Sequence, residues 1–258
     1  MNLTDAQLAQ LRSQHYVVAP GFWDAATCDA VTSILERRCT RDHSWEFFPH
    51  APEDELLWRL FCRPDILDAA ERYLETPDFL LCGSQFQGRW QGDRLDDDQH
   101  PHLDESNNTL LVEPLSGPYK YLSILNYWTD VDAGCGPTAL QHPDGREEPL
   151  LVERGTALFY NLNTRHRGTR MTRPGARRLV SWFLYRPAAA PWSGQMWYAN
   201  LAERPGMVQF MEKASPRERG LLGVPPPGHP YWTEDTIPRV KARYPGWDMS
   251  RYEAGLCS

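Results

Sequence analysis

Apolar positions recur at helical spacing along the first 76 residues. Thr4 followed by Gln7 forms a capping-box signature, and Leu8 and Leu11 supply a stripe over residues 5–13. Asp24 can cap a second helix running to about residue 38, with Cys28, Val31, Ile34 and Leu35 on one side. Leu56, Leu57 and Leu60, then Ile66, Ala70 and Leu74, predict a helical region over residues 52–76, broken near Pro64. A β-prone run, His15-Tyr16-Val17-Val18, interrupts this layer and stops at Pro20-Gly21.

From about residue 78 the pattern changes to short β runs between turns. Residues 79–82, 84–86, 110–113, 119–128, 150–152, 156–160 and 177–185 read as strands separated by Gly, Asp and Pro. Such spacing favours a sandwich or barrel over alternating βαβ units. After Arg186-Pro187 the chain is rich in Pro, Trp and Tyr, and only residues 234–244 read as a helix. Trp192, Trp197, Trp232 and Trp247 need apolar cover, so this tail is expected to wrap the β-core.

The 258 residues allow one or two domains, and 41% hydrophobic content supports a core and argues against general disorder. The 18 glycines and 22 prolines exceed their usual joint share of about 12%, which fits many turns and not a long helical bundle. With 27 basic and 34 acidic residues the net charge is −7, so neither nucleic acid nor an anionic membrane is the expected partner. No run of 18 apolar residues occurs, and Met1-Asn2-Leu3-Thr4-Asp5 lacks a basic segment before an apolar one, so neither secretion nor membrane spanning is expected. Cysteines at 28, 39, 62, 82, 135 and 257 contain no CxxC, and a reduced, cytoplasmic protein is the simpler reading.

The sharpest chemical signal is Gln99-His100-Pro101-His102-Leu103-Asp104-Glu105. His102 and Asp104 are two apart, so on a strand both side chains point to one side. They can form two legs of a 2-His-1-carboxylate site for Fe(II), with His166 the candidate third leg. His100 shares their register, and zinc is an alternative metal for such a set. Alone, HxD is a common chance pattern.

Seven arginines (165, 167, 170, 173, 177, 178 and 186) interrupt the acidic composition, most of them as solvated loop charges. Arg177 and Arg178 open a strand, so one of the two must point inward and needs an anionic partner. A small dicarboxylate fits that fork bidentately, while an internal Arg–Asp or Arg–Glu pair satisfies it equally well. Ser181 lies on the same strand face as Arg177. Tyr121 and Ser123 also share a face, and which face is inner stays open.

Taken together, these residues resemble the phytanoyl-CoA dioxygenase family of Fe(II)/2-oxoglutarate-dependent oxygenases over nearly the whole chain. The likeness runs through Leu3-Thr4-Asp5-Ala6-Gln7-Leu8, the stretch from His15 to Phe22, His102-Leu103-Asp104, Tyr121 to Trp128, Gly134-Cys135-Gly136-Pro137-Thr138, and Gly155 to Tyr160 leading to His166. It departs at Gln141-His142-Pro143-Asp144-Gly145, where many members have Gly-Ser-His, and at residues 168–172, which lack a common Asn.

The resemblance implies a double-stranded β-helix (jelly-roll, cupin-like) core, mainly β with flanking helices. It implies a single oxygenase domain over residues 1–258, with a helical layer at 1–77, the jelly-roll at 78–187 and the tail at 188–258. Iron is then held by His102, Asp104 and His166, and 2-oxoglutarate by Arg177, aided by Ser181, Tyr121 and Ser123; Arg178 is the nearby alternative to Arg177. Trp90, Gln99 and Trp128 are candidate substrate-side residues. The implied activity consumes O2 and 2-oxoglutarate, hydroxylates a C–H of a small-molecule substrate, and releases succinate and CO2. Retention of Asp104 favours hydroxylation over halogenation. The alternatives are a cupin-like metal-dependent lyase or isomerase without 2-oxoglutarate, and a non-catalytic binding protein on the same scaffold.

Overall fold

The computed structural model describes residues 2–39, 45–47, 55–93, 96–102, 121–142, 144–161, 164–189, 205–222, 224–229, 232, 234 and 236–254. Helix α1 (Asp5–Gln14) begins at Thr4, whose side chain and Gln7 cap one another's backbone, and it buries Leu8 and Leu11. Strand β1 (Tyr16–Ala19) follows, then α2 (Ala25–Arg38), capped by Asp24 and burying Cys28, Val31, Ile34 and Leu35. After the short β2 (Trp45–Phe47), α3 (Glu55–Phe61) and α4 (Pro64–Leu74) split at Pro64, which opens the second helix.

The β region comprises β3 (Phe79–Trp90), β4 (Leu122–Tyr127), β5 (Thr138–Gln141), β6 (Glu147–Pro149), β7 (Ala157–Tyr160), β8 (His166–Gly168) and β9 (Arg177–Pro187). One sheet has the order β1-β7-β4-β9-β3-β2 and the other β6-β5-β8. All described pairings are antiparallel. The two runs expected at 79–82 and 84–86 are one strand. A register shift between Leu81 and Gly83 lets the chain continue in pairing with β9. The strand expected at 110–113 lies outside the described residues.

Both faces of the large sheet are covered, which is why its strands lack clean polar alternation. Ile124, Leu179, Phe183 and Tyr185 join the helices in one core, whereas Tyr127, Leu158, Tyr160 and Val180 pack inside the jelly-roll. Odd-numbered β9 positions thus face the helices, and the even-numbered ones from Arg178 face the interior.

The tail contains more helix than the single segment expected at 234–244: α5 (Pro205–Lys213), α6 (Pro216–Leu221), α7 (Thr236–Arg243) and α8 (Ser250–Glu253). In sequence its prolines look like breakers, but Pro205 and Pro216 open helices, where no backbone N–H is needed. Trp232, Trp247 and Tyr252 meet edge to face, with centroids 4.7 to 6.0 Å apart. Phe210 meets Trp58 of α3 edge to face, with ring centroids 4.9 Å apart. The described tail therefore shares the core of the N-terminal helices. Trp192 and Trp197 fall outside the described residues.

Candidate metal and anion site

His166 opens β8, and His102 pairs with it through two backbone hydrogen bonds, 2.9 and 3.0 Å. This bridge brings two residues 64 positions apart into register, with ring centroids 4.7 Å apart. His102 Nδ1 bonds to the His100 carbonyl and His166 Nδ1 to the Thr164 carbonyl, both at 2.9 Å. A carbonyl only accepts, so each Nδ1 carries a proton, and in the neutral ring that tautomer leaves the lone pair a metal requires on Nε2. This donor set suits Fe(II) or Zn(II). Asp104 lies outside the described residues. Among those described, no group of three His, Cys, Asp or Glu side chains converges on one point.

The bridge is the last step of a longer attachment. Gln99 N–H donates to the Gly168 carbonyl, and its Oε1 accepts from Gly168 N–H, both at 2.9 Å. Upstream, the buried Asp96 carboxylate accepts from the backbone N–H of Gly92 and Met171, both at 2.7 Å. Segment 96–102 is thereby fastened along residues 166–171. The Arg89 guanidinium, 1% exposed, lies 3.7 Å from Asp96 and donates to the Asp97 and Thr169 carbonyls.

The two histidines border a cavity of about 250 Å³, also lined by Gln85, Gln87, Gln99, Thr138, Tyr160, Arg178 and Trp182. Arg178 is the cation among its described lining residues. Burial first, and then the like charge of Arg89, lowers the Arg178 pKa to about 10. Burial likewise lowers that of Arg89, with Asp96 opposing the shift. Two buried guanidiniums thus share one buried carboxylate among the described residues, and Nε of each has no partner. Arg178 donates to the Gly136 carbonyl. Thr138 Oγ1 accepts from Tyr127 O–H at 3.0 Å, which leaves the threonine proton free to donate.

The choice of Arg177 as the inward arginine is corrected. Arg177 is exposed and ion-paired with Glu36, because it begins β9 on the helix-facing side. Ser181 does share its face, and that face is the outer one. The Ser181 hydroxyl accepts from Asn126 Nδ2 at 3.2 Å, and Asn126 Oδ1 accepts from Trp23 Nε1 at 2.8 Å. Ser181 still contributes to the cavity wall.

Ser123 and Tyr121 are on the inner face but do not line the cavity; Tyr121 packs with Leu184. Of the candidate substrate-side residues, Gln99 borders the cavity. Trp90 packs against the helix-side core, and Trp128 is buried there beside Trp23, their ring centroids 5.1 Å apart. His142 pairs with Glu148 at 2.9 Å and lines a separate cavity. Sequence reading did not single out Arg89, Gln85, Gln87, Thr138, Tyr160 and Trp182, and it placed Asp96 only within an acidic stretch near the mouth of the site. The strand residues among them share period-two placement on inner strand faces, which is readable only once the inner face is known.

No protein family and no curated protein sequence matches the chain. Solved structures do. HygX from Streptomyces hygroscopicus, with nickel and 2-oxoglutarate bound, matches at 18% identity and TM-score 0.58, covering 74% of this chain and 89% of that one. The epimerase SnoN, in complex with Fe3+, alpha ketoglutarate and nogalamycin RO, matches at 15% identity and TM-score 0.58, covering 74% and 87%. The carbocyclase SnoK from nogalamycin biosynthesis matches at 18% identity and TM-score 0.59, covering 80% and 92%. At these identities the likeness is one of fold, and the antiparallel two-sheet core explains it: the chain has the double-stranded β-helix (jelly-roll, cupin-like) architecture of these structures.

Proposed function

We propose that the protein is an Fe(II)/2-oxoglutarate-dependent dioxygenase of the phytanoyl-CoA dioxygenase type, hydroxylating an unactivated C–H of a small organic metabolite. The observation that carries this reading is a buried, under-compensated Arg178 facing the same cavity as two histidines whose Nδ1 atoms are held on backbone carbonyls. A metal-dependent lyase or isomerase without 2-oxoglutarate uses the buried cation only if its substrate is an anion, whereas a dicarboxylate co-substrate neutralises it whatever the substrate. HygX is described with iron, and with nickel and 2-oxoglutarate, which adds support. SnoN and SnoK are described as an epimerase and a carbocyclase, so hydroxylation is the finer part of the proposal.

In this reading His102, Asp104 and His166 hold the iron, and Arg178 replaces Arg177 as the partner of the distal carboxylate of 2-oxoglutarate. When bound, the iron supplies the redox chemistry that couples oxidative decarboxylation to oxygen insertion. The protein's own work is positional. The Nδ1–carbonyl bonds fix both imidazole tautomers, and Tyr160, 5.2 Å from the His166 ring, packs against it edge-on. The Thr138 hydroxyl offers a second donor to the anion. Cys28, Cys62 and Cys135 are free thiols, and no described helix is long and apolar enough to cross a membrane. A cytoplasmic location is proposed with the function.

The test is anaerobic titration of Fe(II)-loaded protein with 2-oxoglutarate, followed by aerobic turnover with a metabolite panel and measurement of succinate. Charge-transfer absorption on 2-oxoglutarate addition and substrate-dependent succinate are expected. Absence of both from metal-loaded, folded protein overturns the reading.

A further inference from the structure

The register of β3 against β9 arranges facing residues as three successive rungs: Gln85 opposite Trp182, Gln87 opposite Val180, and Arg89 opposite Arg178. Gln85, Gln87, Trp182, Val180 and Arg178 all border the cavity. Rungs two residues apart are separated by about 7 Å, so the cationic rung lies about 14 Å from the Gln85–Trp182 rung. A five-carbon dicarboxylate held at Arg178 does not reach across that span. The cavity therefore has a cationic end and an opposite end that is neutral among the described residues.

The neutral end carries unsatisfied hydrogen-bonding capacity. Within the described residues, neither the Gln85 nor the Gln87 amide has a hydrogen-bond partner, and both side chains are half-buried. Trp182 Nε1 is buried with no partner. The benzo edge of this indole rests on Gly83, where an added Cβ would stand 2.8 Å from Cζ3 and 3.2 Å from Cη2. Gly83 thus lets a large ring lie down on the sheet within the cavity wall. Leu125, across the other edge of β9, completes an apolar floor beside it.

We infer that Gln85, Gln87 and Trp182 form the substrate ledge, and that the substrate is a neutral, polyhydroxylated ring of the saccharide, glycoside or cyclitol class. Each amide both donates and accepts, as does a hydroxyl, so pairing between them leaves neither function unmet. A carboxylate would satisfy only the amide N–H2 groups, and an ammonium only the carbonyls. An acyl chain would desolvate both amides without return. Amide heads about 7 Å apart bracket hydroxyls at the two ends of a six-membered ring. The indole supplies a flat apolar surface for the ring's C–H face and one N–H donor.

The ledge rests on the dioxygenase reading for the role of the cationic end, and the experiment separates the two. Fe(II)-loaded protein is kept anaerobic, and 2-oxoglutarate addition is followed by charge-transfer absorption. Calorimetric titrations then use myo-inositol, methyl β-D-glucopyranoside and sucrose as neutral rings, against octanoyl-CoA and lysine. At least one neutral ring is expected to bind, and Gln85→Leu and Gln87→Leu are each expected to weaken it by about tenfold. Circular dichroism checks each fold. Gln87→Glu, nearly isosteric, gives the same readout should a leucine variant fail to fold.

If charge transfer appears and no neutral ring binds, or octanoyl-CoA or lysine binds in their place, the ledge is overturned and the dioxygenase reading stands. Ring binding that is indifferent to folded glutamine variants also overturns the ledge. If charge transfer never appears but a ring binds and the glutamine variants weaken it, the dioxygenase reading fails and the ledge stands.

Discussion

Replacing Arg178 by Met and, separately, Arg177 by Ala distinguishes two neighbouring guanidiniums that the fold sends to opposite faces. Arg178 is 5% exposed, and burial together with Arg89 lowers its pKa to about 10. A cation whose folded pKa lies below its unfolded value destabilises the folded state at every pH below about 10, and the penalty fades only as pH rises toward the unfolded value. At neutral pH it is present in full, about 3 kcal/mol at 1.36 kcal/mol per pKa unit. Methionine fills much of the same space without that penalty. Arg178→Met is therefore expected to raise the Tm of the ligand-free protein by several degrees, at about 2–4 °C per kcal/mol.

Binding behaves in the opposite sense. In the unsubstituted, metal-loaded protein, 2-oxoglutarate at about 100 times its Kd adds about 2.7 kcal/mol of stability. Loss of the buried guanidinium should weaken that binding by about 2–5 kcal/mol, or roughly 30-fold to several thousandfold. Arg177→Ala breaks only an exposed pair with Glu36, worth less than about 1 kcal/mol, and leaves the 2-oxoglutarate shift in place. Thermal unfolding by circular dichroism with and without 2-oxoglutarate, plus calorimetric titration, reads both effects. The reasoning is refuted if Arg177→Ala abolishes the shift while Arg178→Met keeps it, or if Arg178→Met lowers the ligand-free Tm.

Three further predictions follow from the geometry. His102→Ala and His166→Ala each remove an Nε2 donor, so stoichiometric Fe(II) binding by calorimetry should be lost, and full binding in either variant would contradict the site. Asp96→Asn leaves the buried Arg89 uncompensated at a cost of about 3–5 kcal/mol, while the double change with Arg89→Met should recover most of the lost Tm. Gly136→Ala must move against Thr169 O, 2.6 Å from the added Cβ, at a φ of +65°. It should lose about 1–3 kcal/mol and weaken 2-oxoglutarate binding through the displaced carbonyl that holds Arg178, whereas Gly145→Ala, with open space around it, should cost about 1 kcal/mol and no binding.

Local rules sufficed for the N-terminal helices. A capping pair at Thr4 and Gln7, a cap at Asp24 and apolar spacing are properties of a few consecutive residues, and the helices formed where those properties lie. The same reading understated the tail, because Pro205 and Pro216 are breakers inside a helix and openers at its first turn, and the chain alone does not say which applies. His102 and His166 stood out as residue types, yet their meeting depends on a backbone bridge across 64 positions.

The arginine pair marks the boundary between the two kinds of information. Alternation along β9 dictates that Arg177 and Arg178 face opposite ways, and that much is in the sequence. Which way is inward depends on which face of β9 the helices cover, and that is set by the packing of Leu179, Phe183 and Tyr185 against them. The same packing turns Ser181 toward Asn126, brings Arg89 beside Arg178, and points Gln85, Gln87 and Trp182 into the cavity. Sequence determined the elements and their two-residue period; tertiary structure decided the phase, because a strand has two equivalent faces until something is packed on one of them.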